Sequence, residues 1–60
     1  MFIDFLTTEN ETTKINTDHI SIITVAAATE KTKETVVLVM NNGRIIKTDE
    51  ESVVSKIKSL

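Results

Sequence analysis

Cysteine and proline are absent from this 60-residue sequence, and there is one glycine and one histidine. Without cysteine the chain forms no disulfide and no thiolate metal site. A chain of this length buries only about 60% of the surface that it exposes when unfolded. Because disulfides and metal cannot support so small a core, oligomerisation is the support that we expect.

Aromatic side chains and excess positive charge are also scarce. Phe2 and Phe5 are the only aromatic residues, and the formal net charge is −2 at pH 7. Proteins that bind nucleic-acid polymers typically have a basic surface or stacking aromatic residues, so we expect no such partner. No apolar run approaches the roughly 20 residues that cross a bilayer. Acidic residues also stand where a signal peptide would be basic. We therefore expect a cytoplasmic protein with no membrane insertion.

What the sequence does contain is a series of β-type segments. Alternating apolar residues, many of them β-branched, predict strands at about residues 1–7, 12–16, 20–28, 35–41 and 44–48. In the first strand, Ile3 and Phe5 share one face, and Asp4 lies on the other, where we expect it to be solvated. Short polar connections between the segments predict that neighbouring strands pair as antiparallel hairpins.

Two hairpin turns have identifiable turn residues. Asn10 is the best candidate for a left-handed residue in the first connection. The Asn42-Gly43 pair predicts a two-residue type I′ turn, because that turn needs two positive φ angles. This turn would place Met40 opposite Ile45 on the next strand.

The last segment, at about residues 49–59, has helical periodicity. Val53, Val54, Ile57 and Leu60 form one apolar stripe. Thr48 and Glu51 have the spacing of a capping box. The sequence therefore predicts one mainly β domain over residues 1–60. It would be a five-stranded antiparallel meander or small open barrel with one C-terminal helix.

The fourth strand, VVLVM, is apolar on both faces, and a single short helix cannot cover both. Either the sheet curls into a barrel that covers itself, or another copy of the chain covers the second face. A large uncovered apolar patch on a soluble protein usually marks an interaction site. We therefore expect a homo-oligomer.

Five side chains are candidates for ligand binding. Arg44 is the only arginine, and its planar fork suits a phosphate or carboxylate. Lys47 is near it in sequence, and Lys31 and Lys33 could join it across a subunit boundary. His19 is either a ligand-binding residue or a turn residue that caps a backbone group. For Arg44 and Lys47, the alternative role is that of solubility charges beside the turn, and for Lys31 and Lys33 it is that of charges in a solvated loop.

No pattern typical of an enzyme is present. No nucleophile has a base placed to activate it, and no catalytic residue, metal site or cofactor is predicted. Asp49, Glu50 and Glu51 are adjacent acids, but the positive end of the helix dipole explains them better than a metal does. We therefore expect a protein that acts by binding.

Two segments resemble a known family. Residues 15–23, INTDHISII, resemble the LN-x-D-x-I-x-x-I segment of the small flagellar FlbD/SwrD-like proteins and of related short phage-encoded proteins. Residues 36–60 resemble the ending of those proteins, which is a strand, NGK, a strand and ES-x-x-E-V-I-x-K-I. The threonine- and asparagine-rich composition is closer to the phage members. The resemblance implies either a phage-type effector or a flagellar accessory protein with a protein partner at the motor.

These observations lead to one functional hypothesis and two alternatives. The first is an oligomeric phage-type effector that sequesters a small phosphate-containing host ligand, such as a nucleotide immune signal, in the cytoplasm of the bacterial host. The alternatives are the flagellar accessory protein and a protein–protein adaptor that binds a host protein through an apolar face or a free strand edge.

Overall fold

The computed structural model describes all residues, 1–60, and is mainly β. Its elements are β1 (Phe2–Leu6), β2 (Thr12–Asn16), a 3-10 turn (Thr17–His19), β3 (Ile20–Ala26), β4 (Thr35–Met40), β5 (Ile45–Thr48) and α1 (Glu51–Lys58). All pairings are antiparallel, and they form two sheets, β1–β2 and β3–β4–β5, with no closed barrel. The predicted mainly β fold with five antiparallel strands and a C-terminal helix is confirmed.

One core joins the two sheets and the helix. It contains ten buried apolar side chains: Ile3, Phe5, Ile15, Val36, Leu38, Met40, Ile46, Val53, Val54 and Ile57. Along β4 buried residues alternate with half-buried ones, because only one face of this central strand meets the helix and the first sheet. The core therefore covers a single face of the three-stranded sheet.

The first hairpin has the predicted turn residue. Asn10 has a φ of 63°, in the left-handed region. The Thr7 N–H donates to the Glu11 carbonyl at 2.9 Å, and the Thr7 Oγ1 accepts from the backbone N–H groups of Glu9 and Glu11. Asp4 is exposed on the outer face of β1, while Phe5 is buried.

The predicted type I′ turn between β4 and β5 is wrong. Only Gly43 has a positive φ there, at 86°, and the Met40 N–H donates to the Arg44 carbonyl at 2.9 Å. The loop therefore has three residues, with glycine in the left-handed position that follows a tight turn. Ile45 consequently pairs with Val39, one residue away from the predicted register. Because side chains alternate between faces, this shift places Ile46 in the core and leaves Ile45 exposed.

The predicted capping box at the start of α1 is also wrong. The N-cap residue is Glu50, which makes no side-chain capping bond. The buried Thr48 side chain instead donates to the Leu6 carbonyl at 2.9 Å and accepts from the Glu50 N–H at 3.2 Å. Glu50 in turn accepts a bond from the Leu6 N–H through its carboxylate, at 3.2 Å. Thr48, which was expected to cap the helix, and Glu50 thus connect the helix to the first sheet.

Candidate functional site

Arg44 lies between two surface grooves that separate the two sheets. The first, here called the asparagine groove, has a volume of about 240 Å³. It is lined by Lys14, Ile15, Asn16, His19, Met40, Asn41, Asn42, Arg44 and Ile46. The second, the threonine groove, has a volume of about 320 Å³ and is lined by Thr7, Thr8, Glu9, Glu11, Thr13, Arg44, Ile45, Ile46 and Lys47.

Arg44 has no intramolecular partner for its charge. The chain forms two ion pairs, one between the Met1 amino group and Asp18 at 3.7 Å, the other between Lys58 and Glu34 at 3.1 Å. Arg44 takes part in neither, and its side chain is exposed. Its planar guanidinium is therefore available to a phosphate or carboxylate from solution.

The asparagine groove is rich in hydrogen-bond donors. The Oδ1 atom of Asn16 accepts from the Asp18 N–H at 3.1 Å, and that of Asn42 accepts from the Arg44 N–H at 2.9 Å. The Oδ1 atom of Asn41 accepts from the Ser21 hydroxyl at 2.7 Å. With the three acceptor oxygens engaged, the three side-chain NH₂ groups remain as donors.

This groove is positively charged, and the hydrogen atoms of its NH₂ donors also carry partial positive charge. Its lining includes two cations, Arg44 and Lys14, and no carboxylate. An anion with several oxygens, such as a phosphate, matches a surface that combines positive charge with NH₂ donors.

The threonine groove has a balanced charge. Arg44 and Lys47 are opposed by Glu9 and Glu11, and three threonines complete its polar lining. The carboxylates repel a phosphate, whereas the hydroxyls and carboxylates can bond to a sugar or base. Of the two grooves, the asparagine groove is therefore the better match to the phosphate itself.

The structure brings some of the predicted site residues together but not others. Arg44 and His19 share the asparagine groove, and Arg44 and Lys47 share the threonine groove. Lys33 lines a third groove, of about 380 Å³, together with Glu34, Asp49 and Glu51, so its surroundings are acidic. Lys31 lies in the turn that the Thr29 N–H closes onto the Thr32 carbonyl. Within one chain, neither lysine reaches Arg44.

His19 does not cap a backbone group with its ring. Its side chain is exposed and forms no hydrogen bond, while its backbone carbonyl accepts from the Asn41 N–H at 2.8 Å. This bond brings the 3-10 turn next to the β4–β5 turn. His19 is therefore a turn residue, as the alternative interpretation expected, but its ring caps no backbone group and is exposed to solvent.

Several residues of the grooves were not predicted from the sequence. Lys14, the three asparagines and the threonines of the first hairpin come together only because the β1–β2 hairpin packs against β5. One backbone bond, from the Thr8 N–H to the Lys47 carbonyl at 3.0 Å, joins the two sheets there. The abundance of threonine and asparagine indicated polar surface, but nothing in their spacing predicted that they would meet.

An apolar surface on the other side of the three-stranded sheet is uncovered. On β3, Ile22 lies on this face and is 55% exposed. Ile23 (41%) and Val25 (41%) are also exposed, but they lie on the opposite face, at the margin of the core, because they pair with buried residues of β4. Ile45 on β5 is 63% exposed, and the half-buried Val39 lies between Ile22 and Ile45 in the sheet. The sheet does not close on itself, so no part of the chain covers this surface.

Neither a metal cluster nor a membrane span is found. No group of three or more histidine or acidic side chains is placed to hold a metal ion. The single helix is too short and too polar to cross a bilayer.

The fold and the grooves define a small two-sheet β protein with a C-terminal helix and a donor-rich surface groove. Comparison of the chain with protein-family models, with curated proteins and with solved structures finds no match. The resemblance of residues 15–23 and 36–60 to FlbD/SwrD-like proteins therefore stays a prediction.

Proposed function

We propose that this chain is a non-enzymatic, homo-oligomeric protein that binds a small phosphate-containing ligand in the asparagine groove. The observation that carries the proposal is the lining of that groove. It combines an arginine without an ion-pair partner, a lysine and three asparagines whose Oδ1 atoms are already bonded. Such a surface offers donors and positive charge to an anion and no carboxylate to repel it.

The size of the grooves limits the ligand. Ligand pockets typically have volumes of about 300–1,000 Å³. The asparagine groove, at about 240 Å³, is smaller than that. A mononucleotide or cyclic dinucleotide would extend from it into the adjacent threonine groove, past Arg44. One phosphate would lie on the donor-rich side, and a sugar or base would meet the threonine hydroxyls.

Binding without turnover indicates a stoichiometric role. We propose that the protein is a phage-type effector that sequesters a nucleotide immune signal in the cytoplasm of the bacterial host. The resemblance of residues 15–23 and 36–60 to short phage-encoded proteins supports this role. A stoichiometric binder of this kind lowers the concentration of the free signal. When the protein is denatured, the signal is released unmodified. Recovery of unmodified nucleotide from the heated complex would distinguish it from an enzyme.

The binding test uses isothermal titration calorimetry with a panel of mono- and cyclic dinucleotides. Arg44→Ala should weaken binding at least about tenfold, because a hydrogen bond to a charged group contributes about 1.5–3 kcal/mol. His19→Ala tests the asparagine groove and Lys47→Ala the threonine groove. Lys56→Ala is the matched control, since this exposed helix residue lines neither groove.

The outcomes of this test are distinct. Loss of affinity in Arg44→Ala, with Lys56→Ala unchanged, supports the proposed site. If no nucleotide binds, or if Arg44→Ala binds as tightly as the natural chain, the proposed ligand site is wrong.

A protein–protein adaptor is the second candidate, and the open edge of β3 favours it. An unpaired strand edge can accept an extended peptide as an additional strand. A chain that binds no nucleotide but gains a protein partner along β3 would support the adaptor instead. Hydrogen exchange that slows on β3 only in the presence of that partner would show it.

A further inference from the structure

β3 is an edge strand without the features that usually protect an edge. It pairs with β4 on one side only. Its sequence, ISIITVA, contains no charged residue and no proline, and every residue from Ser21 to Ala26 is exposed. Natural edge strands are commonly protected by a lysine, a proline or a covering segment. The other outer strands differ, since β1 contains Asp4, β2 contains Lys14, and β5 is joined to Thr8 through its Lys47 carbonyl.

The hydrogen-bond pattern shows which β3 amides face the open edge. The Met40 N–H donates to Arg44, so the backbone of Met40 faces β5. Backbone groups alternate along an antiparallel strand, so Val39 and Val37 face β3. Their partners on β3 are Ile22 and Thr24, which therefore bond to β4. The N–H and C=O groups of Ile23 and Val25, which alternate with them, therefore point to the open side.

We propose that two copies of this chain pair through β3 about a two-fold axis at Thr24, which joins the two three-stranded sheets into one continuous six-stranded sheet. In this register Ile23 lies opposite the partner's Val25, and each forms two backbone hydrogen bonds with the other. The two Thr24 residues face each other as a non-hydrogen-bonded pair. This register uses the open amides and leaves out Ser21, where the β3–β4 pairing is irregular.

The chemistry of the edge fits a second copy of the chain. A two-fold interface brings the same surface together from both subunits, so it must be self-complementary. Here Ile23 and Val25 supply apolar partners for each other, and no charge is repeated across the axis. Cross-strand pairs of β-branched residues stabilise such pairing.

The exposed surface around β3 is also continuous. Every residue from 21 to 33 is exposed, so no other part of the chain covers β3 or the loop after it. A second copy therefore reaches the open edge of β3 without displacing another segment.

The pairing has a consequence for the ligand site, which rests on the function proposed above. In one chain Lys31 and Lys33 follow the end of β3, while His19 and the asparagine groove lie at its beginning. Seven strand residues, about 20 Å, separate them. Antiparallel pairing places the end of one β3 beside the beginning of the other. The loop that contains the partner's Lys31 and the partner's Lys33 then lies at the end of the sheet where His19 and Arg44 are found, and brings two ammonium groups to that end.

The test measures the oligomeric state by native mass spectrometry and light scattering, without nucleotide. The natural chain should be a dimer, and Thr24→Lys should be a monomer because it places two like charges directly opposite each other. Thr12→Lys is the matched control, an exposed threonine on the edge strand of the other sheet. Ile45→Lys tests packing through the outer face of the sheet. Both of these variants should remain dimers.

A cysteine variant tests the register directly, because the natural chain contains no cysteine. Thr24→Cys should form a disulfide-linked dimer under mild oxidation. Non-hydrogen-bonded pairs have Cα atoms about 4.5 Å apart, within the range of disulfides. Thr12→Cys should not cross-link efficiently. If Thr24→Lys fails to fold by circular dichroism, the cysteine pair decides the question.

Three results would overturn the pairing. These are a monomeric natural chain, a Thr24→Cys variant that cross-links no better than Thr12→Cys, and dissociation caused by Ile45→Lys with Thr24→Lys still dimeric.

Failure of nucleotide binding would leave the dimer unaffected. If both proposals hold, Lys31→Ala with Lys33→Ala should weaken nucleotide binding severalfold in the natural dimer. The same pair of changes should have no effect in the monomeric Thr24→Lys background, and equal weakening in both would contradict the shared site.

Discussion

The register of the β4–β5 hairpin can be tested by mutation. In one register Ile46 is buried and Ile45 is exposed, and in the other the two side chains exchange places. Ile46 is 4% exposed and packs in the core, whereas Ile45 is 63% exposed. Truncation of a buried isoleucine to alanine typically costs 2–5 kcal/mol, so we expect about that for Ile46→Ala. Full burial of such a side chain is worth about 1.5–3 kcal/mol, and Ile45 loses only about a third of its surface. Ile45→Ala should therefore cost about 1 kcal/mol or less.

Urea denaturation followed by circular dichroism measures this difference. A domain of this size has a total stability of about 3–9 kcal/mol and an m-value of about 1 kcal/mol/M in urea. The midpoint should therefore fall by about 2 M or more for Ile46→Ala and by about 1 M or less for Ile45→Ala. All proteins are compared at one concentration, because oligomerisation shifts apparent stability. A larger loss for Ile45→Ala would show that the hairpin has the two-residue turn, and would refute the register described above.

Two further stability predictions concern single backbone or hydroxyl features. Gly43→Ala should cost about 1–2 kcal/mol through the left-handed φ of 86° alone, because no atom lies within 4 Å of an added Cβ. Gly43→Asn should cost less, since asparagine tolerates that conformation, and equal losses would contradict the argument. Thr48→Val should cost about 1–3 kcal/mol because it removes the hydroxyl bonded to the Leu6 carbonyl. Thr48→Ser keeps that hydroxyl, so it should unfold at a higher urea concentration than Thr48→Val.

Patterns a few residues long were enough to predict the elements of secondary structure. Alternation of apolar residues predicted that Ile3 and Phe5 share a face, and both are buried. Asn10 was recognised because few residues tolerate a positive φ. Helical spacing identified Val53, Val54 and Ile57 as core residues, but Leu60 of the same predicted stripe lies beyond the helix and is 59% exposed. These features depend on backbone sterics and on the period of each element, both of which are local.

Prediction of the candidate site was less complete. Arg44 and His19 were identified by residue type, and they do share a groove. Lys33 was grouped with them, yet the fold places it beside Glu34 and Asp49. Residue chemistry can be assessed along a chain, but proximity depends on how β-hairpins pack against one another.

By itself, the sequence determined five strands and a helix, an acidic net charge and an apolar excess on strands three and four. Tertiary structure decided the division into two sheets, the one-residue register of β5 and the use of Thr48 to join the helix to the first sheet. It also decided that the core lies on one face while β3 stays uncovered. The physical reason is that register and burial are selected by contacts between residues far apart in sequence. Several local alternatives are close in energy until such contacts form.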